Sequence, residues 1–519
     1  MDRSSARTIA DLPEVFNAAE DLLAANLRLR PDKAAIIDHR GACSYAELGD
    51  RVARMAGAFA TLGVRRDQRV LLCLTDTRDF PTVFLGAIRA GVVPVPLNTL
   101  LTADDYAWIL HNSGAVAVFV SGELADKWQD LAQTETQVRF LSSEAGPWDD
   151  LESLLAGADP AGMPAATHRD DVAFWLYTSG STGRPKGAMH LHGSIRLTAN
   201  LHGTGVVGYR EDDVVLSIAK QFFAYGLGNS LSFPYAAGAT VVLFHGRATP
   251  DAISELVARH RVSVLGAVPT FLAGWLSHPS CPSRADAAAL RIATSAGEAL
   301  PSHIARAFHA RFDADVLDGL GSTELLHVFV SQRPGEVRPG CTGRVVDGYK
   351  VRVMGDDGLP VAPGEIGNLH VSGPTAAIGY WRNREKSVGT FQGEWTVTGD
   401  KYVIDGQGWL TYAGRADDML KVGGIYVSPI EVEDALASHA EVLEAAVVGA
   451  EDADGLVKPS AYVVVRDGVT PTPDLEARLK AHVKAHLAPF KCPRWINFVD
   501  ALPKTATGKI QRFRLRKMA

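Results

Sequence analysis

Cysteine is scarce in this chain, five in 519 residues, and no two are spaced as C-x-x-C. That excludes a disulfide framework and a zinc ribbon, and it points to a reducing compartment, the cytoplasm. Excess positive charge is also missing, since 52 Lys and Arg stand against 59 Asp and Glu for a formal net charge of -7. Nucleic-acid binding needs a basic surface, so that class is excluded, whereas a local site for a small anion is not. The N-terminal stretch MDRSSARTIADLPEVFNAAEDLL carries acidic residues where an export signal would be apolar. One uncharged run, 222–244, is long enough to span a bilayer but is interrupted by Asn229, Pro234 and several glycines. It reads as a buried helix, a turn and a buried strand, and no membrane partner is expected. Heptads, short-period repeats and low-complexity tracts are absent as well.

What is present is ordinary globular material, 46% hydrophobic and 21% charged, enough for more than one domain. Ser44 and Glu47 have capping-box spacing, and Leu48, Val52, Met55, Phe59 and Leu62 then recur at helical spacing as far as Gly63. The apolar runs RVLLCL, VVPVPL and AVAVFV alternate with helical stretches, and the alternation resumes through ATVVLF, DAISELVARHRV, SVLGAVPT and RIATSAG. Strand and helix in alternation predict parallel sheets covered by helices. From about Arg344 the texture changes to short apolar runs separated by Gly, Pro and Asp, which predicts antiparallel strands and turns. The last hundred or so residues regain a mixed pattern and read as a small α+β domain.

Directly after the run VAFWLY, residues 177–187 read YTSGSTGRPKG. Hydroxyls, glycine amides and two cations in one stretch can cradle phosphates, because each supplies a donor and glycine lets the backbone come close. It is not a Walker A loop, since Pro185 sits directly before Lys186. On this stretch alone an exposed Gly/Ser turn with incidental cations remains an equal alternative.

Four further strings follow in order: DGLGSTE at 318–324, TGD at 398–400, GRADDMLKVGGIYVSP from Gly414, and PKTATGK ending at Lys509. Together with the opening stretch they resemble the adenylate-forming (acyl-activating) superfamily from end to end. The resemblance implies an α/β fold: a large N-terminal domain, 1–416, of parallel-type βα subdomains plus a small β-barrel-like subdomain. A small mobile α+β C-terminal domain, 417–519, would follow, with its hinge at Asp417. It implies ATP, Mg²⁺ and coenzyme A as the small-molecule complement. ATP or AMP would be held by Thr178, Ser179, Ser181, Thr182 and Lys186, by Gly297, Glu298 and Ala299 beside adenine, and by Asp318, Gly319, Ser322 and Thr323. Asp400 would take the ribose hydroxyls, with Arg415 supporting ribose and phosphate. Lys509, Glu324 and Thr323 would be catalytic, Glu324 also as the Mg²⁺ ligand, and Lys509 as a point charge on carboxylate and α-phosphate. Gly423, Gly424 and Tyr426 would line the tunnel for the pantetheine arm of CoA.

The string KQFFAYGLGNS places Phe223 where the family commonly has a histidine gate, leaving an apolar, aromatic wall. With GSTELLHVF it resembles the benzoate-CoA ligase branch, which implies a short pocket for a flat ring formed by Phe223, Ala224, Tyr225, Gly226, Leu320, Gly321 and His327. The expected activity is ATP-dependent ligation of benzoate, or a small ring-substituted benzoate such as 2-aminobenzoate or hydroxybenzoate, to CoA through an aroyl-AMP. A monomer or a homodimer would serve. Two alternatives stay open: an enzyme loading a carrier protein in trans, and a catalytically silent nucleotide-binding protein on the same scaffold.

Overall fold

The computed structural model describes all residues except 1–4, 179–183, 417, 423–424, 453–455, 505–509 and 519. The capping box forms as spaced: Ser44 accepts from the Glu47 amide, Glu47 reaches back to the Ser44 amide, and helix Tyr45–Thr61 follows. Its apolar stripe, Leu48, Val52, Met55 and Phe59, is buried. Gly63 ends the segment at a φ of 73°, a left-handed conformation that glycine adopts without strain.

The alternating pattern builds two parallel sheets. One is five-stranded, in the order Val93–Pro96, Arg69–Cys73, Ala117–Ser121, Arg139–Ser143 and Asp149–Asp150, and every pairing in it is parallel. The other has nine strands. Its centre, from Asp315–Gly321 through Ile292–Ala296, Val264–Ala267, Val214–Ser217 and Thr240–Val242 to Ala34–Asp38, is parallel. Antiparallel strands close both edges. Buried on both faces, the central strands are near-continuous apolar runs, as the parallel arrangement requires.

The 222–244 run folds inside the molecule as helices Ala224–Leu227 and Phe233–Ala237, joined by a π-helical turn Gly228–Ser232, and then strand Thr240–Val242. Among the described residues no helix is long and apolar enough to cross a membrane. After Arg344 the short runs form an antiparallel sheet of Lys350–Met354, Ile366–Ser372, Trp395–Ile404, Phe391–Gln392 and Leu410–Arg415. The small C-terminal domain has a three-stranded sheet, Val442–Glu451, Val457–Val465 and Trp495–Phe498. Helices Pro429–Ala437 and Pro473–His486 pack with it around Val432, Leu436, Leu475, Leu479 and Val483.

Candidate active site

The site gathers at the carboxyl ends of the parallel strands, where open α/β sheets leave a crevice for ligands. Strand Asp315–Gly321 runs straight into the turn Thr323–Leu325, so the string DGLGSTE passes from buried strand to half-buried turn within seven residues. Buried polar atoms are normally hydrogen-bonded. Along this string and its neighbours, Asp318 Oδ1, Ser322 Oγ, His327 Nδ1 and Ser295 Oγ are buried with no partner among the described residues. Ser295 pairs in register with Asp318 on the adjacent strand. Such unpartnered buried atoms are acceptors and donors that a polar ligand can satisfy.

On the phosphate side, Val172–Thr178 and Lys186–Leu191 form a hairpin whose mouth pairs Thr178 with Lys186. Ser179, Ser181 and Thr182 lie outside the described residues. The Lys186 ammonium sits 4.5 Å over the ring of Tyr380, and Tyr380 donates its hydroxyl to Glu324 Oε1 at 2.6 Å. A cation and a carboxylate are thus held on one aromatic side chain, joined further by the Ala377 amide on the Glu324 carbonyl at 2.8 Å. Burial lowers the Lys186 pKa, with Glu324 acting in the opposite sense. Tyr380 was not legible as a site residue, because its only signal is its position in space. Thr323 follows Ser322 at the start of the same turn.

On the ribose side, Gly399 turns at a φ of 74°, and a side chain there would press on Arg415. Asp400 and Arg415 are paired across the sheet, with Nη1 to Oδ1 at 2.9 Å. Asp400 is buried while Arg415 stays half exposed. On the base side, strand Ile292–Ala296 ends at Gly297, which has a φ of 92°, and Glu298 is anchored by the Thr270 hydroxyl at 2.8 Å. Ala299 and Asp318 line a cavity of about 110 Å³ that also meets Thr342, Tyr412 and helix Pro429–Ala437 of the C-terminal domain. Burial pushes the Asp318 carboxyl up to about 8. Gly319 is needed small, since a Cβ would lie 2.8 Å from Val328.

A small cavity of about 10 Å³ lies between Ala224 and His327, walled by Phe84, Phe174, Ile195 and Leu231 among others. Of the seven expected pocket residues, Ala224 and His327 line it; Phe223, Tyr225, Leu320 and Gly321 do not. At Gly226 a Cβ would strike the carbonyl of Lys220 at 2.0 Å, so its own loop already requires glycine there. Gly228 is the glycine that makes room, because a Cβ would stand 2.3 Å from the His327 ring. His327 is clamped by Phe233, Tyr225 and His202, with ring centroids 4.5, 5.5 and 5.1 Å away. Its Nε2 lies 3.3 Å from the Tyr225 carbonyl, which can only accept, so Nε2 carries the proton and Nδ1 is a bare acceptor. Burial lowers its pKa to about 3, which keeps the ring neutral. Positions 224, 227, 228 and 231, at helical spacing, could have announced this face; Phe84, Phe174 and Ile195 come from distant elements with no local signal.

Asp417, Gly423, Gly424 and Lys509 lie outside the described residues. The backbone of Tyr426 belongs to the hairpin Leu420–Val422 and Ile425–Val427. A family model described as AMP-binding enzyme matches residues 23–381, and one described as AMP-binding enzyme C-terminal domain matches 431–509. The chain is 50% identical to the benzoate–CoA ligase of Thauera aromatica, over 99% of this chain and 98% of that one. A solved benzoate CoA ligase from Burkholderia xenovorans LB400 superposes with a TM-score of 0.91 at 50% identity, covering 96% of this chain and all 100% of that one. An anthranilate CoA ligase solved with anthranoyl-AMP gives a TM-score of 0.94 at 38% identity, covering 98% of each. The order of motifs, the crevice they share and these likenesses over nearly the whole length agree: the chain belongs to the AMP-binding, adenylate-forming enzymes, in their benzoate–CoA ligase branch.

Proposed function

We propose that the protein is an AMP-forming aryl-CoA ligase whose acid is benzoate or a small ring-substituted benzoate such as 2-aminobenzoate or a hydroxybenzoate. A carboxylate oxygen of the acid attacks the α-phosphorus of ATP, the bond to the bridging oxygen breaks, and pyrophosphate leaves an aroyl-AMP. The CoA thiol then adds to the carbonyl carbon, loses its proton, and expels AMP to give the thioester. Lys186, with Ser179, Ser181 and Thr182, holds the outer phosphates, and the Tyr380 ring keeps its cation in place. Asp400 receives the ribose hydroxyls, and its pairing with Arg415 presets both. Lys509 supplies positive charge as carboxylate and α-phosphate rearrange, a role worth about 3–4 kcal/mol in comparable sites. Magnesium suits Glu324, a half-exposed carboxylate beside the Ser322 and Thr323 hydroxyls, and when bound would neutralise charge on the phosphates. Asp417 serves as the hinge between 1–416 and 417–519, Gly423, Gly424 and Tyr426 admit the pantetheine arm, and the five free cysteines support a cytoplasmic place.

The observation that carries the reading is the pairing of a charged crevice at the strand ends with an apolar cavity ending on a neutral histidine. The cavity walls are apolar, as a flat ring requires, and at about 10 Å³ they must part for a ring to enter; the bare His327 Nδ1 is suited to a ring bearing a hydroxyl or amino donor. Pyrophosphate release with ATP and Mg²⁺ across benzoate, 2-aminobenzoate, 4-hydroxybenzoate, cinnamate, octanoate and phenylalanine, with and without CoA, tests it. A CoA-stimulated response confined to the benzoates is expected. Turnover of octanoate or phenylalanine would overturn the ring pocket, and release that CoA does not stimulate would favour a carrier-loading enzyme.

A further inference from the structure

Helix Pro429–Ala437 carries three carboxylates within four residues, Glu431, Glu433 and Asp434. Glu431 is bound by Lys491 Nζ at 2.6 Å, and Glu433 by Arg512 at 2.8 Å and by the Val447 amide at 2.7 Å. Asp434 is exposed and has no ion pair or side-chain hydrogen bond among the described residues. It lines the cavity of about 110 Å³ whose opposing wall, from the large domain, includes Ala299, Thr342, Tyr412 and Asp318. Asp318 is 6% exposed and its Oδ1 has no partner. Two carboxyl groups from different domains thus face one cavity, and Asp318 Oδ1 and the Asp434 carboxyl are acceptor oxygens left open to a ligand's donors. Burial raises the Asp318 pKa, against the backbone N–H donors of Gly319 and Leu300.

An exocyclic amine is a group with two N–H donors that can serve two acceptors at once, and Ala299 and Asp318 already place this cavity beside the base. We propose that Asp434 is a nucleotide-reading residue supplied by the C-terminal domain: it accepts one N–H of the 6-amino group of adenine while Asp318 faces the other. The inference rests on the crevice being an adenylate site. It makes the small domain a reader of the purine, so that base identity and domain orientation are coupled. A 6-oxo purine offers an acceptor at that position and lacks the N–H that Asp434 takes, so it binds less tightly.

Calorimetric binding of AMP, of inosine 5′-monophosphate and of coenzyme A to the full-length protein tests this without any aryl acid. The wild type should prefer AMP. In Asp434→Ala, AMP affinity should fall roughly three- to tenfold, the effect of one lost hydrogen bond, while inosine monophosphate and coenzyme A stay within about twofold. Asp434→Asn, which keeps an acceptor oxygen, should recover part of the preference and controls for folding. Equal weakening of AMP and inosine monophosphate, or no change in either, overturns the proposal while leaving the adenylate site intact. A loss confined to coenzyme A assigns Asp434 to that ligand's adenine and overturns it as well. A wild type that binds no AMP overturns the site reading, and this inference falls with it.

Discussion

The ring cavity and the nucleotide crevice lie a few residues apart along the 318–327 string, yet they are built on opposite principles. The ring cavity lies wholly within the large domain, with apolar walls and a histidine held neutral by burial. The nucleotide crevice carries paired charges, Lys186 with Glu324 around Tyr380 and Asp400 with Arg415, and takes one wall from the small domain. A closed apolar pocket discriminates by shape, because a misplaced group has nowhere to go. A charged crevice between domains instead discriminates by pairing and can be reassembled when a domain moves. Variants should therefore sort by which of the two regions they touch.

The largest effect is expected in the small domain. Lys509→Ala should cut aroyl-AMP formation by about 10²–10³, the usual cost of one lost electrostatic donor, and leave thioester formation from supplied aroyl-AMP nearly intact. Gly424→Leu should do the reverse, by blocking the thiol's path. Neither should change the affinity for the aryl acid by more than about twofold, since among the described residues none from the small domain lines the ring cavity. Half-reaction assays with equilibrium binding of benzoate check this. Equal loss of both half-reactions in both folded variants would mean that one fixed arrangement does both steps.

Gly228→Ala touches only the other region. Its methyl would lie 2.3 Å from His327 Cδ2 and 2.9 Å from Phe233, and the histidine is already clamped between three rings. Overpacking of this kind costs about 1–3 kcal/mol, so the KM for the aryl acid should rise roughly tenfold or more while AMP affinity is unchanged. A comparable loss of AMP affinity would show that the two regions are not independent.

The division also explains what could be seen in the sequence. The crevice was legible because its residues sit at strand ends in short strings, where Asp318, Glu324 and Asp400 follow directly from the runs that place them. The helix at 45–61 was legible because Ser44 and Glu47 cap it locally. Cavity walls were not, since Phe84, Phe174 and Ile195 meet only after three elements pack, and a buried phenylalanine reads the same whether it lines a core or a ligand. Glycine shows the same limit: Gly226 and Gly228 are alike in the sequence, and only the atoms beside them tie one to its own turn and the other to His327. Tyr380 and Asp434 needed the tertiary fold to acquire a partner or a cavity.

The smallest effect separates the two regions by pH. Burial favours the protonated form of Asp318, whose pKa rises from 3.8 to about 8, so the folded chain holds a proton that the unfolded chain releases near pH 4. Stability contributed by this group is present in full below that pH and falls as pH climbs from about 4 toward about 8. His327 in the ring cavity has the opposite sign. Its pKa drops from 6.5 to about 3, so the unfolded chain takes up the proton first and stability is lost as pH falls from about 6.5 toward about 3. Asp318→Asn cannot ionise and should flatten the alkaline slope of the thermal midpoint by a few degrees, leaving the acid slope in place. Saturating AMP should flatten the same slope in the wild type by giving the carboxyl a donor, whereas benzoate should not. If benzoate alone flattened it, Asp318 would answer to the ring cavity, and the line drawn here between shape and charge would have to move.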